Sequence, residues 1–412
     1  MIDVVGLGDD GWAGLDEGRR SRIRRAGTLV GGRRHLDLVA PHLPGGARLV
    51  PWPSPLRPAL PGLLEDLLGG PGEVVVLASG DPLRSGIAST LVELLGVDAV
   101  RTHPHVGSDA LARARQGWSA EEVVVVTTVG RDLRAVLPHL APGARLVVLC
   151  STGADPARLG ALLTEHGWGA STLTARWHLG GALEGARSER ADAFAEGTAD
   201  LVVCCVEVRA SDPTGVAAHL GPVPGRPEDF IEHDGQLTKR DVRASGLARL
   251  RPTSGAHLWD LGAGNGSVAL EWCLAADRAT ATCVERDATR AARITTNAEA
   301  LGLAGRVEVV VGDTGTTDLA SLPPADAVFV GGGLDRDLLA RAWCSLRPGG
   351  RLVAHAVTLE GESALLATHA RTGGELSRLS VERAVPLGRY LSWTPARTVV
   401  QLAATRTTED PT

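Results

Sequence analysis

Short runs of β-branched and aliphatic residues recur through the first half of the chain, at 3–6, 73–77, 123–127, 146–149 and 201–208. Between them apolar residues return every three or four positions, as at 86–95 and 156–166, which is a helical period. Near-continuous apolar strands alternating with helices predict a mostly parallel sheet covered on both faces. The stretch "SDPTGVAAHLGPVPGRPEDF" (211–230) interrupts both periods with Pro and Gly, and a linker is expected over 209–228. Beyond it the alternation restarts: helix 239–250, strand 257–260, helix 267–276, strand 280–285 and helix 288–300. Strands 307–312 and 327–330, helix 336–346 and strand 351–356 follow, and "RTVVQLAAT" (397–405) reads as a closing pair of strands. The pattern predicts two α/β domains of different fold, over 1–208 and 229–405.

Composition narrows the class. At 412 residues the chain is long for one core, and 44% apolar with 22% charged residues is ordinary for a globular protein. The net charge of −6, with no Lys/Arg-dense segment, argues against a nucleic-acid surface. The 51 glycines and 24 prolines fall between periodic segments and form no low-complexity tract. The six cysteines form no C-x-x-C pair, and buried free thiols in a reducing cytosol are expected. No metal-ligand spacing appears among Cys and His. The start "MIDVVGLGDDGW" lacks the basic and apolar regions of a signal peptide, and no apolar stretch has the length of a membrane span, so a cytoplasmic protein with no membrane partner is expected. A homo-oligomer is expected.

The densest chemistry lies at "HLWDLGAGNGSVALEW" (257–272), where Gly262, Gly264 and Gly266 follow an apolar strand and precede a helix. A strand ending in a glycine turn at a helix N-terminus gathers backbone N–H groups and the positive dipole end at one point. That favours a ligand bearing a carboxylate or phosphate over a bare turn. The dinucleotide fingerprint needs its third glycine at position 267, which is Ser267. Two acids extend the pattern: Glu285 ends the next strand, where a carboxylate can accept ribose hydroxyls, and Asp313 follows the third, where it can read an adenine edge. Thr238 can N-cap the helix after "HDGQLTK", with Asp241 placed as in a capping box. Lys239, Arg240 and Arg243 cluster there; a solvated face and a substrate-facing rim are both open. The segments 328–335 and 353–360 bring glycines, His355, Thr358 and Glu360 to strand ends on the same rim.

The arrangement "DLGAGNG" resembles the first motif of class I S-adenosylmethionine (SAM) methyltransferases. The resemblance implies a Rossmann-like domain that holds SAM on Thr238, Gly262, Ala263, Gly264, Asn265, Gly266, Glu285, Asp313 and Thr314.

In the first half, "LASGDPLRSGIASTL" (77–91) sets Gly80-Asp81-Pro82 between a strand and a helix. With the opening "VVGLGDDGW", the "GGRRHL" at 31–36 and "HVGSDALARARQGW" at 105–118, the order resembles the tetrapyrrole methylase family. That resemblance implies SAM contacts at Gly80, Asp81, Pro82 and Ser108, and a substrate-side loop at Gly6 and Gly8. Arg33, Arg34 and His35 are candidates to meet propionate or acetate groups. Asp9-Asp10 stands where the wider family commonly has Gly-Pro.

A tetrapyrrole-methylase α/β domain followed by a class I methyltransferase domain resembles the fused, decarboxylating precorrin methyltransferases of corrin-ring synthesis. The implied protein binds two SAM molecules and a polycarboxylate tetrapyrrole. Its N-terminal half methylates C5; its C-terminal half methylates C15 and decarboxylates the C12 acetate. Lys239, Arg240 and Arg243 are then candidates to hold substrate carboxylates. Methyl transfer from a sulfonium to an electron-rich meso carbon needs alignment and exclusion of water more than a strong base. His233 and His355 are candidate proton handlers, each equally readable as a structural histidine. Two other readings are an NAD-dependent oxidoreductase and a single active methyltransferase half beside a non-catalytic tetrapyrrole-binding half.

Overall fold

A computed structural model describes residues 1–70, 72–214 and 221–408. The chain divides into two units, Met1–His219 and Leu220–Thr412. Residues 215–220 of the expected linker lie outside the described residues, but both ends of that span are tied down. Ser211 N donates to Gly167 O in the first unit, and the N–H groups of Gly225 and Arg226 donate to the Glu271 carboxylate in the second.

The first unit holds two sheets. One is wholly parallel, in the order β3 (Arg48–Pro51), β2 (Thr28–Gly31), β4 (Val74–Ser79), β1 (Ile2–Leu7), β5 (Val100–His103). Successive β1 residues point to opposite faces, so Ile2 and Val4 join one core with helices Leu56–Gly69 and Ile87–Leu95. Val5 and Leu7 join another core with helices Glu17–Arg25 and Arg33–Val39. The other sheet runs β6 (Val123–Thr127), β7 (Arg145–Leu149), β10 (Val202–Glu207), β8 (Thr172–Trp177), β9 (Gly185–Arg190). Only its β6–β7 pairing is parallel; the remaining three are antiparallel. The single, mostly parallel sheet expected for this half is therefore two sheets, one of them mostly antiparallel. A strand buried on both faces reads as the same apolar run in either direction, so composition does not reveal its partners.

The second unit is built on a seven-stranded sheet, ordered β13 (Val307–Val311), β12 (Thr280–Glu285), β11 (His257–Leu261), β14 (Ala327–Val330), β15 (Arg351–Ala356), β19 (Val399–Thr405), β16 (Glu375–Leu379). The first five strands are parallel, and β19 runs antiparallel to both its neighbours. The 397–405 segment thus supplies one closing strand, and 375–379 supplies the other. Leu258 faces a core with helices Arg240–Leu250, Ser267–Ala275 and Ala288–Ala300. Trp259 and Leu261 face one with helices Arg336–Ser345 and Leu359–Thr372. Each fully buried Leu or Val contributes about 1.5–3 kcal/mol relative to an exposed position. A hairpin unforeseen in the sequence, β17 (Glu382–Leu387) and β18 (Tyr390–Pro395), stands apart as a two-stranded ribbon.

Candidate functional site

In the second unit, strand order reverses about β11: β12 and β13 lie to one side, β14 and β15 to the other. Open α/β sheets bind ligands in the crevice beyond such a switch point. There the loops after β11 and β14 touch, because a Cβ on Gly262 would lie 2.5 Å from the Gly332 carbonyl oxygen. Gly262 has φ +71°, in the region that favours glycine, so both space and backbone demand glycine there. Gly266 (φ +80°) serves packing instead: a Cβ would meet Ile294 at 2.9 Å, and it lets helix Ser267–Ala275 approach helix Ala288–Ala300.

A cavity of about 690 Å³ opens at this crevice. Thr238, Lys239, Gly262, Ala263, Gly264, Glu285, Asp313, Thr314 and His355 line it, nine of the positions singled out from the sequence. The buried Glu285 accepts Gly264 N through Oε2 (2.8 Å) and Asp287 N through Oε1 (2.9 Å). Each oxygen keeps a further acceptor site for a ligand hydroxyl. Asp313 accepts Gly315 N at 2.8 Å, which folds the loop that carries Thr314. Asp260, buried at the foot of the glycine loop, accepts Ala269 N at 3.1 Å, while its Oδ1 has no partner. Burial first, and the Glu285 charge with it, pushes the Asp260 carboxyl up to about 7.

Several expectations are corrected. Arg243 does not meet substrate: it is fully buried, within 3.1 Å of Glu271, and donates to the carbonyls of Thr238 (2.6 Å) and Arg226 (2.5 Å). It anchors the segment that carries Thr238. Arg240 is exposed and does not line the cavity, whereas its neighbour Lys239 does. Helix Arg240–Leu250 has Lys239, not Thr238, at its N-cap, with no side-chain cap; the capping box does not form, and Thr238 faces the cavity. Asn265 is buried outside the cavity; its amide donates to Asp234 (2.9 Å) and the Gln236 carbonyl (2.7 Å), and its oxygen accepts Arg293 (2.6 Å). His233 accepts Gly235 N at 3.0 Å in a turn and does not line the cavity. Thr358 caps helix Leu359–Thr372 by accepting Gly361 N. His355 does line the cavity: its Nε2 hydrogen-bonds Gln401 Oε1 at 2.9 Å, and burial holds its pKa down to about 4. Its imidazole is neutral at physiological pH. Arg383 and Arg397, which the sequence did not single out, also line the cavity from the hairpin side; the hairpin register and the β16–β19 pairing bring them there.

In the first unit the expected loops also converge. A Cβ on Gly6 would sit 2.0 Å from the Gly80 carbonyl oxygen, one on Gly80 would sit 2.9 Å from Gly107 Cα, and His105 N donates to Gly80 O. The ends of β1, β4 and β5 thus bring Gly6 and Gly8 beside Gly80-Asp81-Pro82 and Ser108, the first residue of helix Ser108–Gln116. Asp81 closes its own turn by accepting Leu83 N at 2.9 Å. A polar chain runs alongside: Ser79 to His35 (3.0 Å), His35 to Arg34 (3.1 Å), Arg34 to Asp9 (3.3 Å), Asp9 to His178 (2.9 Å). Asp10 meets His105 at 3.2 Å. Arg34 and His35 are therefore held by protein partners, a cluster the sequence did not foresee.

Comparison with known proteins follows the same division. Residues 1–184 match the family model for tetrapyrrole (corrin/porphyrin) methylases, and residues 229–406 match the precorrin methyltransferase domain. A Sinorhizobium protein named precorrin-6Y C(5,15)-methyltransferase [decarboxylating] is 42% identical over 98% of this chain and 96% of its own. A Mycobacterium tuberculosis protein of the same name is 38% identical over 98% of this chain and 100% of its own. The crystal structure of the C-terminal domain of precorrin-6Y C5,15-methyltransferase from Rhodobacter capsulatus is 45% identical, with a TM-score of 0.43, covering 45% of this chain and all of that one. Full-length likeness at this identity, with a glycine-loop cavity in one unit and converging strand-end loops in the other, places the chain in the family of decarboxylating precorrin-6Y C5,15-methyltransferases.

Proposed function

We propose that the two units divide the family's chemistry, the first methylating C5 of a precorrin and the second methylating C15 and releasing the C12 acetate carboxyl as CO2. Methylation with decarboxylation follows from family membership; neither an NAD-dependent oxidoreductase nor a single active half is favoured. The division between units rests on one observation, the cavity at the β11–β14 switch point, complete within the second unit.

The residues of that cavity fit SAM. Gly262 and Gly264 leave backbone without side chains against the ligand, Glu285 offers acceptor sites to ribose hydroxyls, and Asp313 and Thr314 flank the adenine position. SAM supplies an activated methyl group on sulfonium; the chain's own residues orient it, exclude water and place the ring carbon in line. Among the groups lining the cavity no nucleophile–base pair is required, because the electron-rich ring is itself the nucleophile. Lys239 stands at the rim as a carboxylate contact. In the first unit Gly80, Asp81, Pro82 and Ser108 hold a second SAM, with Gly6 and Gly8 on the substrate side. The chain acts in the cytoplasm as a homo-oligomer, without nucleic-acid partners; among the described residues no helix is long and apolar enough to cross a membrane. Incubation with SAM and precorrin-6Y, with and without cobalt in the ring, tests the reading: the product should carry two added methyl groups and lack one CO2. A product with one methyl group and its carboxyl intact would overturn it.

A further inference from the structure

The cavity of the second unit has a wall that no cofactor contact accounts for. Leu379, Val381 and Arg383 line it, alternate residues running from β16 into β17, and Arg397 and Val399 line it from the return strand. Alternation along an extended chain carries the same face outward to Val385 and Leu387. The hairpin register sets Thr394 opposite Arg383, Ser392 opposite Val385 and Tyr390 opposite Leu387, so these six share one face. The other face carries Ala384, Pro386, Leu391 and Trp393.

On the cavity-side face Leu387 is 64% exposed and Tyr390 63%, while on the other face Leu391 is 72% and Trp393 69% exposed, so charge and continuity with the cavity, not exposure, distinguish the faces. An isolated two-stranded ribbon is marginal in water, and large apolar groups left on it ask for a partner. Charge separates the possible partners. Arg383 already pairs with Asp241 (2.7 Å) and lies 3.7 Å from Glu228, which ties the hairpin base to the start of helix Arg240–Leu250. Arg397 lies at the same base, exposed, and makes no ion pair among the described residues. At the tip the Arg389 guanidinium lies over the Tyr390 ring, 4.9 Å from its centre. A face that carries Val385, Leu387 and Tyr390 beside the hydroxyls of Ser392 and Thr394, with cations at base and tip and continuous with the cavity, is complementary to a flat apolar ring with carboxylates at its edge.

We propose that the β17–β18 hairpin is the substrate-binding wall of the C-terminal site, with Leu387 and Tyr390 against the tetrapyrrole face and Arg397 holding one of its carboxylates. This rests on the functional reading above and adds the residues that select a polycarboxylate macrocycle over smaller methyl acceptors.

The test uses the full chain and two paired substitutions on opposite faces. The front pair is Leu387→Ser with Tyr390→Ser; the back pair is Leu391→Ser with Trp393→Ser; Arg397→Gln is made alone. SAM-dependent CO2 release from precorrin-6Y gives KM and kcat, and calorimetry gives the SAM Kd. The front pair and Arg397→Gln should each raise the precorrin KM about tenfold, the size of one charge-assisted contact or two lost apolar contacts. The SAM Kd should stay within twofold of the parent, which also reports that the unit is folded. The back pair should leave KM unchanged. A front-pair KM within about twofold of the parent, or a back pair that raises KM as much as the front, overturns the wall. Absence of any CO2 release by the unsubstituted enzyme overturns the functional reading, and this inference with it.

Discussion

Single residues in the C-terminal site separate into those that face a ligand and those that hold the ones that do. In the reading proposed above, Gly264 and Glu285, which both line the cavity, belong to the first kind. Gly264→Val puts a β-branched side chain at φ +59°, with its Cβ 3.2 Å from the Gln236 carbonyl, and Glu285→Ala removes the acceptor for ribose hydroxyls, worth about 1–3 kcal/mol. If the chain binds SAM in both units as proposed, either change should remove the C-terminal SAM equivalent in calorimetry and leave the N-terminal one at parent affinity; two undiminished sites would refute the placement. Arg243 belongs to the second kind. Removing one member of a buried ion pair strands the other, so Arg243→Gln should lower the unfolding free energy of the second unit by about 3–5 kcal/mol in denaturant titration. A rise in precorrin KM with stability intact would return Arg243 to the rim.

At the scale of elements, the start of helix Arg240–Leu250 decides which of two adjacent cations faces the cavity. Lys239, at the N-cap, has extended backbone (φ −64°, ψ 151°), while Arg240 begins the helical turn and points elsewhere. Lys239→Gln should therefore raise the precorrin KM, more steeply at low salt where rim charges are less screened, and leave SAM affinity unchanged. Arg240→Gln should leave both unchanged. Equal effects from the two would mean that the whole basic cluster acts as a diffuse field, without a positioned contact.

At the scale of the whole molecule, two buried groups in the second unit titrate against each other. His355 is neutral when folded because burial holds it near 4, against an ordinary 6.5. Between those values the unfolded chain binds more protons, so this contribution is lost as pH falls from about 6.5 to 4. Asp260 has the opposite sign: it is raised from 3.8 to about 7, so the folded state binds more protons and stability is lost as pH rises through that window. The two slopes offset each other. Asp260→Asn should expose the histidine slope, with stability rising from pH 4 to 6.5, and His355→Gln should expose the falling one. Urea unfolding at a series of pH values reads both, and slopes unaltered in the two variants would contradict these buried ionisations. The chain should also divide: residues 1–210 and 225–412 should each fold alone, and the latter alone should add one methyl group and release CO2. Failure of that piece to release CO2 even beside the other half would move the decarboxylation out of the second unit.

What the sequence determined by itself is what neighbouring residues decide. The five parallel strands of the second unit, its glycine loop and the strand-end positions of Glu285 and Asp313 were legible because strand period, turn chemistry and strand-end position are written within a dozen residues of chain, whereas β16 and the β17–β18 hairpin were not. The first unit's glycine loops were legible through motif order. Tertiary structure alone decided the rest, because pairing and burial depend on partners far along the chain. The mixed sheet of the first unit owes its antiparallel pairings to partners far along the chain, and its edge strand Gly185–Arg190 has no apolar run to mark it. Arg243 looked like a rim cation until Glu271, 28 positions on, buried it. Asp9 meets His178 across 169 positions, and Arg397 reaches the cavity only because β19 threads between β15 and β16. The ionisation of Asp260 and His355 is likewise set by burial, which is a property of the packed sheet and its helices and of no segment alone.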